Sequence, residues 1–424
     1  YLLVFIIIII SIYFVIPKFF SYTPKLIQES LKKNSNIDIK NISNINYKFL
    51  PSPRLRLSAS NLEFQESFLD IESAEVDIVL DPLSIINHKI FNYNKLLIKG
   101  GSSNIEINKV NQLFNYVKKN RKKIQFTKNN IILFDKNKKL FEIKESLTKF
   151  KSKNNIQQLS ANGLFLNHKI SFILENKPDG RITIKLKVPQ LDLSTNILLE
   201  NKDNFKNFKG LVKLEVLNSF LQFNLIKNKG IMINKGFIRS SLLNSSFEGN
   251  LFIEPFSSFN LDIAPNTLDI KRLIQILRQN FFLDNFYPIE LIKKIDGSLT
   301  LRKIFEGKVI FKNREILLQD FKVGKKNDIL FDATVSKFGK KGKIQFNISN
   351  NTRDKKNFVK SIKLSGFLIP SSSKVTFEKI IFGEEIFTEK KIENYEKKFK
   401  SEVINNSIIN IFNETKINNF FKNF

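Results

Sequence analysis

The feature that most limits what this chain can become is apolar alternation with a period of two. Ala74, Val76, Ile78 and Leu80 alternate with Glu75, Asp77 and Val79. The same beat recurs in Leu55–Leu57, Ile182–Ile184–Leu186–Val188, Val212–Leu214–Val216, Ile329–Phe331–Ala333–Val335 and Ile344–Phe346–Ile348. Successive side chains of a strand point to opposite faces, so each run makes a strand with one apolar and one polar face. Many short runs of this kind, parted by Asn, Lys, Gly and Ser, predict a mainly β fold built on a long antiparallel sheet. The pair Gly100-Gly101, between Leu96–Ile98 and Ile105–Ile107, predicts a hairpin turn. Helical spacing is rarer. Thr23-Pro24 is a helix start, Thr as N-cap and Pro at the first position, followed by the stripe Leu26, Ile27 and Leu31. Val110, Leu113, Phe114 and Val117 make a second stripe. Thr267 would cap a third helix carrying Leu268, Leu273, Ile274 and Leu277, and Pro288 to Ile295 a fourth. Past Glu384 the alternation fades, and Ile392, Tyr395, Phe399 and Val403 share one face of a helical tail.

The N-terminal segment obeys a different rule. Leu2 to Ile16 is apolar but for Ser11 and carries no charge. A spanning helix takes about 20 apolar residues, and since the chain opens on Tyr1, upstream residues are expected to supply the rest. A cleaved signal peptide needs small residues before its cleavage site, whereas the run ends Val15-Ile16-Pro17-Lys18. An uncleaved transmembrane anchor is therefore expected over residues 1–17. Residues 18–110, a β-rich region 111–380 and a helical tail 381–424 complete the expected organisation.

A formal net charge of +29 over 424 residues suits an anionic partner. The abundance of Lys, Asn, Ile and Phe, all encoded by AT-rich codons, accounts for the excess without one. A nucleic-acid reader would carry a recognisable basic-aromatic motif; none is present, and no nucleic-acid partner is expected. The chain has no Cys, which excludes disulfides, thiolate metal sites and thiol nucleophiles. Its two histidines, His88 and His168, lack the local spacing of a metal site. Neither a phosphate loop nor a Gly-x-Ser-x-Gly elbow occurs. Gly339-Lys340-Lys341-Gly342-Lys343 lacks the spacing and the Ser or Thr of such a loop and is a polar turn. Asp70, Glu72, Glu75 and Asp77 are most simply a solvated strand face. Lys118, Lys119, Arg121, Lys122 and Lys123 are a solvated helix end, where cations are favoured. The reading is of a protein without catalytic residues, cofactor or metal.

The order of features over the first quarter of the chain resembles the N-terminal region of the AsmA family. An apolar span leads into the Pro-started helix from Tyr22 to Lys33. Then come Ile37-Asp38-Ile39-Lys40 and the aromatic-bearing Ile45-Asn46-Tyr47-Lys48-Phe49-Leu50, which runs into the Pro-x-Pro step Pro51-Ser52-Pro53 and Arg54-Leu55-Arg56-Leu57. Asn61-Leu62-Glu63-Phe64, the strand Ala74 to Leu80, Asp81-Pro82-Leu83, Leu96-Leu97-Ile98 and Asn104-Ile105-Glu106-Ile107 follow. Asn61-Leu62 departs from the acidic residue and Val commoner there, and turn glycines are scarce. The resemblance implies a single-pass inner-membrane protein of a bacterium, with its bulk in the periplasm and a part in outer-membrane biogenesis. Phospholipid would be carried along an apolar β-lined groove. An assembly factor acting on outer-membrane proteins through contacts with envelope protein partners is the alternative.

Alternation alone would build a closed sandwich; the resemblance favours an open, curled sheet whose apolar face takes acyl chains. Strand phase then makes Val76, Ile78, Leu80, Ile182, Ile184 and Leu186 the candidate groove-lining positions. With about 20–25 strands at about 4.8 Å spacing, the stack reaches only about 100–120 Å, which suits a shuttle or partial bridge more than a complete conduit.

Overall fold

The computed structural model describes residues 13–42, 44–64, 68–87, 91–136, 138–153, 155–201, 207–216, 218–227, 230–253, 257–269, 272, 296–303, 306–313, 315–323, 329–337, 342–353, 359–369, 374–405, 410–411 and 413–422. It forms two compact units, Tyr1–Asn218 with Asn224–Lys229, and Ser219–Phe223 with Gly230–Phe424. The division falls inside the region expected to span 111–380.

The first unit opens with α1 (Pro24–Ser35), whose N-cap Thr23 accepts a hydrogen bond from the Leu26 amide, while Asn36 ends it in the left-handed conformation. Ile27 and Leu31 are sealed beneath it. Its strands are β1 (Ile37–Lys40), β2 (Ile45–Lys48), β3 (Arg54–Phe64), β4 (Asp70–Leu80), β5 (Tyr93–Lys99), β6 (Ser102–Glu106), β7 (Lys123–Asp135), β8 (Lys138–Lys153), β9 (Ile156–Phe165), β10 (His168–Asn176), β11 (Arg181–Val188), β12 (Leu193–Asn201) and β13 (Phe208–Val216). Two short helices interrupt them, α2 (Pro82–Ile86) and α3 (Val110–Lys119). β1 and β2 both pair with β3, then β3 with β4, and from β7 to β13 each strand pairs antiparallel with the next.

The expected hairpin at Gly100-Gly101 does not form. β5 and β6 run in the same direction as one broken strand, antiparallel to β4 on one side and parallel to β7 on the other. Both glycines have positive φ, 72° and 75°, which most residues avoid, so they kink the strand without reversing it. Asn129 of β7 holds the kink: its side-chain amide donates to the carbonyls of Gly100 and Gly101, and its oxygen accepts from the Ser103 hydroxyl at 2.6 Å.

β14 (Ser219–Lys227) contributes residues to both units. The second unit continues with β15 (Ile231–Arg239), β16 (Leu243–Phe252), β17 (Ser258–Leu268), β18 (Asp296–Leu301), β19 (Gly307–Lys312), β20 (Glu315–Val323), β21 (Ile329–Lys337), β22 (Lys343–Arg353), β23 (Val359–Ile369), β24 (Lys374–Phe382) and β25 (Glu385–Ile386). From β15 onward consecutive strands pair, antiparallel except for the parallel step β17–β18. The expected tail helix is present as α4 (Glu389–Lys398), continued by a π-helical stretch Phe399–Ile404, with α5 (Glu414–Phe421) after it. Phe399, Val403 and Phe420 are fully buried against Phe346, Ile362, Phe377 and Ile380.

Thr267 and Leu268 belong to β17, so Thr267 caps no helix; Leu273, Ile274, Leu277 and Pro288 to Ile295 lie outside the described residues. So do residues 1–12 of the expected anchor, His88 and Gly339 to Lys341. Among the described residues no helix is long and apolar enough to cross a membrane. Neither unit's sheet closes on itself: no described pairing joins β13 to β1 or β2, or β25 to β15.

Candidate functional site

The strand register of the first unit lines up one continuous apolar face. Ala161 of β9 stands opposite Phe172 of β10, Phe172 opposite Leu186 of β11, Leu186 opposite Thr195 of β12, and Thr195 opposite Leu214 of β13. A parallel row runs through Leu159, Leu174, Ile184, Ile197 and Val212. Toward the N-terminal strands α1 and α3 cover this face. Farther along, Phe172, Ile184, Leu186, Ile197 and Leu214 stay half-buried, although Leu199 and Val212 on the same face are buried.

The six groove candidates divide between these regions. Val76, Ile78 and Leu80 are 0, 0 and 3% exposed, locked into the core with Ile27 and Leu31 of α1. Ile182, at 2% exposure, belongs to the end of the same core. Ile184 and Leu186 alone stand on the half-covered part. The register places Val76, Ile78 and Leu80 on one apolar face of β4 and Ile182, Ile184 and Leu186 on one apolar face of β11; strand phase has no access to which stretch a helix covers.

Where α3 stops covering the sheet, an apolar pocket of about 170 Å³ opens, lined by Leu113 of α3 and by Ile131, Leu133, Phe141, Ile143 and Phe172. Sequence reasoning had Leu113 on a helical stripe but passed over the strand residues, because it assigned no strand between Ile107 and Ile182. The signal was present in Phe141–Ile143, Leu159–Ala161 and Ile170–Phe172–Leu174; bulges interrupt it in β7 and β8, while β9 and β10 pair in unbroken register. The polar atoms of the pocket wall are already spent: Asn129 on the glycine carbonyls and Ser103, and Thr148 on Ser146. No lining residue carries a charge. Such a site offers a guest dispersion and the hydrophobic effect and no acid, base or nucleophile.

The acidic run proves more structured than a solvated face. Asp77 is fully buried and receives hydrogen bonds from Arg56 Nε at 2.8 Å, Arg56 Nη2 at 3.0 Å and Arg54 Nη1 at 3.3 Å, with Lys99 Nζ at 3.3 Å. Burial pushes its carboxyl up, but the Arg56 hydrogen bonds and the Lys99 charge together outweigh this and hold it below the ordinary carboxylate range. Glu75 pairs with Lys99 and Arg56. Within the helix-end cluster, Lys118, Lys119, Arg121 and Lys123 are exposed as expected. Lys122 instead turns inward and donates to the Asn92 side chain and the Tyr93 carbonyl. Among the described residues no group of His, Asp or Glu is arranged to hold a metal ion, and His168 lies in β10.

Fold and face together define a mainly β protein whose sheet is left part-covered on its apolar side. No family model, curated protein or solved structure matches the chain.

Proposed function

We propose that this protein binds phospholipid acyl chains on the half-covered apolar face of β10 to β13, held at a bacterial inner membrane with its bulk in the periplasm, as a carrier or partial bridge of the AsmA kind. The observation that carries the reading is the row Phe172, Leu186, Thr195, Leu214 with its neighbours Ile184 and Ile197, apolar nearly throughout and only half-buried. A nine-residue strand runs about 30 Å at about 3.3 Å per residue, while an acyl chain reaches about 15 Å, half the bilayer's hydrocarbon thickness. Each methylene withdrawn from water contributes about 0.8 kcal/mol, so a single chain offsets a large ordering cost.

Membrane attachment draws support from the surface around the end of the N-terminal run. Tyr13 donates to the Pro82 carbonyl at the start of α2, and the Tyr47 hydroxyl at the end of β2 donates to the Phe14 carbonyl. The segments fastened here carry several of the most exposed large apolar side chains, Phe19, Leu50, Leu83, Ile86 and Phe49. Aromatic and apolar side chains flanking a span favour the bilayer interface.

Native mass spectrometry with lipid extraction of the full chain, purified from a bacterial host, tests the reading. Stoichiometric phospholipid is expected, and its loss in an Ile184→Asp, Leu186→Asp variant that still melts cooperatively. A lipid-free wild-type chain sinks the proposal.

A further inference from the structure

The polar face of the first unit carries a second cleft that the lipid reading does not use. It measures about 500 Å³ and is lined by Lys95 of β5, Lys123 and Gln125 of β7, and Lys149, Lys151 and Ser152 of β8, with Ile124 and Phe150. The register brings them together: Lys95 stands opposite Lys123, and Gln125 opposite Lys149. Four ammonium groups thus share one concave surface without a carboxylate in its lining. Asp77 and Glu175, acids of this face, are engaged elsewhere. Asp77 is clamped by Arg54, Arg56 and Lys99, and Glu175 accepts from Gln158, the strand neighbour of Lys151. No described ion pair involves Lys95, Lys123, Lys149 or Lys151.

A second observation points the same way. Arg54 faces Val79, which faces Lys95, so all three stand on this surface. The Arg54 side chain is 7% exposed. Its Nε donates to the Ser52 carbonyl and its Nη1 to Asp77, yet Nη2 is buried with no hydrogen-bond partner. Arg54 does not line the cleft, but its guanidinium adds a further positive charge behind it that is neutralised, among the described residues, only by Asp77. Burial, and then the charges of Lys149, Lys123, Arg54 and Lys151, push the Lys95 ammonium below the ordinary lysine value. The cluster therefore repels itself while empty of anion.

We propose that this cleft is a binding site for a phosphate group, held by Lys95, Lys123, Lys149 and Lys151 with Gln125 as a neutral donor and the charge of Arg54 behind them. Several convergent cationic donors match an anion with several acceptor oxygens. The volume leaves room for the organic part of a phosphate ester. Lipid headgroups and soluble phosphate esters share this chemistry.

The test titrates the full chain with inorganic phosphate and glycerol phosphate by calorimetry, with chloride at matched ionic strength as control. In parallel, vesicles of phosphatidylglycerol in phosphatidylcholine are floated with the protein, with and without free phosphate. Saturable phosphate binding is expected, weakened at least tenfold in Lys95→Gln, Lys123→Gln and unchanged in Lys185→Gln, Lys187→Gln on β11. Vesicle capture that free phosphate and the Lys95→Gln, Lys123→Gln pair both abolish assigns a headgroup as the source. Phosphate binding without such capture assigns a soluble ester. Binding that chloride reproduces, or that the Lys95→Gln, Lys123→Gln pair leaves intact, overturns the site. The cooperative melt of each variant is read first, and the single variant Lys123→Gln, at an exposed position, replaces the pair should the pair fail to fold.

Discussion

Asp77 shows how far one buried charge can organise its surroundings. Arg54, Arg56 and Lys99 all converge on it from β3 and β5. Asp77→Asn leaves the Arg54 guanidinium buried without its counter-charge, and removing one partner of a buried pair costs about 3–5 kcal/mol, to be read as a fall in the denaturant midpoint. Because its folded pKa is depressed, the Asp77 contribution is complete above the ordinary carboxyl value of 3.8 and is lost as pH falls through the folded pKa. The acid limb of the stability curve should therefore flatten in Asp77→Asn. Lys95 behaves oppositely. Its folded pKa lies below the ordinary 10.5, so between the two values the unfolded chain holds more protons and stability rises with pH. Chemical denaturation of wild type and Lys95→Gln across that window should show the rise shrinking in the variant. Of this network only the alternation of charges was legible in the sequence: Glu75 and Asp77 share a strand face, and which of them is solvated depends on neighbours brought from β3 and β5.

At the scale of elements, the helices decide where an apolar face is core. α1 and α3 seal the N-terminal strands of the first unit, and α4, the π-helical stretch and α5 seal β21 to β24 in the second. Phe420 of α5 is fully buried, in edge-to-face contact with Phe399 at 5.0 Å. Phe420→Ala should cost about 3–5 kcal/mol, measured by thermal or denaturant unfolding. α2 is different in kind. Its N-cap Asp81 accepts from the amides of Leu83 and Ser84, and Ser84 and Ile85 are buried. Leu83 and Ile86, by contrast, are 64 and 59% exposed. If this turn meets the bilayer, Leu83→Glu with Ile86→Glu should lower vesicle association of the full chain without shifting its melt; unchanged association would count against the interface. The cap of α1 was legible as Thr23-Pro24, because capping is local chemistry; Asp81-Pro82 carries the same signal for α2, and the sequence reading assigned no helix to it. The kink at Gly100-Gly101 was not legible, because a Gly-Gly step permits either a reversal or a bulge, and Asn129, far along the chain, settles it.

For the whole molecule the sharpest comparison is between two kinds of apolar position. Val76→Asp puts a carboxylate into a sealed core and should unfold the first unit. Ile184→Asp with Leu186→Asp changes a half-covered face and should preserve the melt while removing bound lipid. Equal destabilisation by both would mean that the face of β11 is core after all. The same contrast recurs in the second unit, where Phe259, Leu261, Leu299, Val309 and Phe311 are half-buried on β17 to β19, while Phe346, Ile348, Ile362 and Leu364 are sealed.

The sequence by itself determined a mainly β chain with one apolar face per strand, the start of α1 and the helical tail, because periodicity and capping act within a few residues. Only the tertiary structure decided which apolar residues are covered, how the carboxylates and guanidinium groups pair, and that four lysines from three strands share one cleft. Those outcomes depend on strand order, register and bulges, which bring distant segments together and leave no mark on any single stretch of sequence.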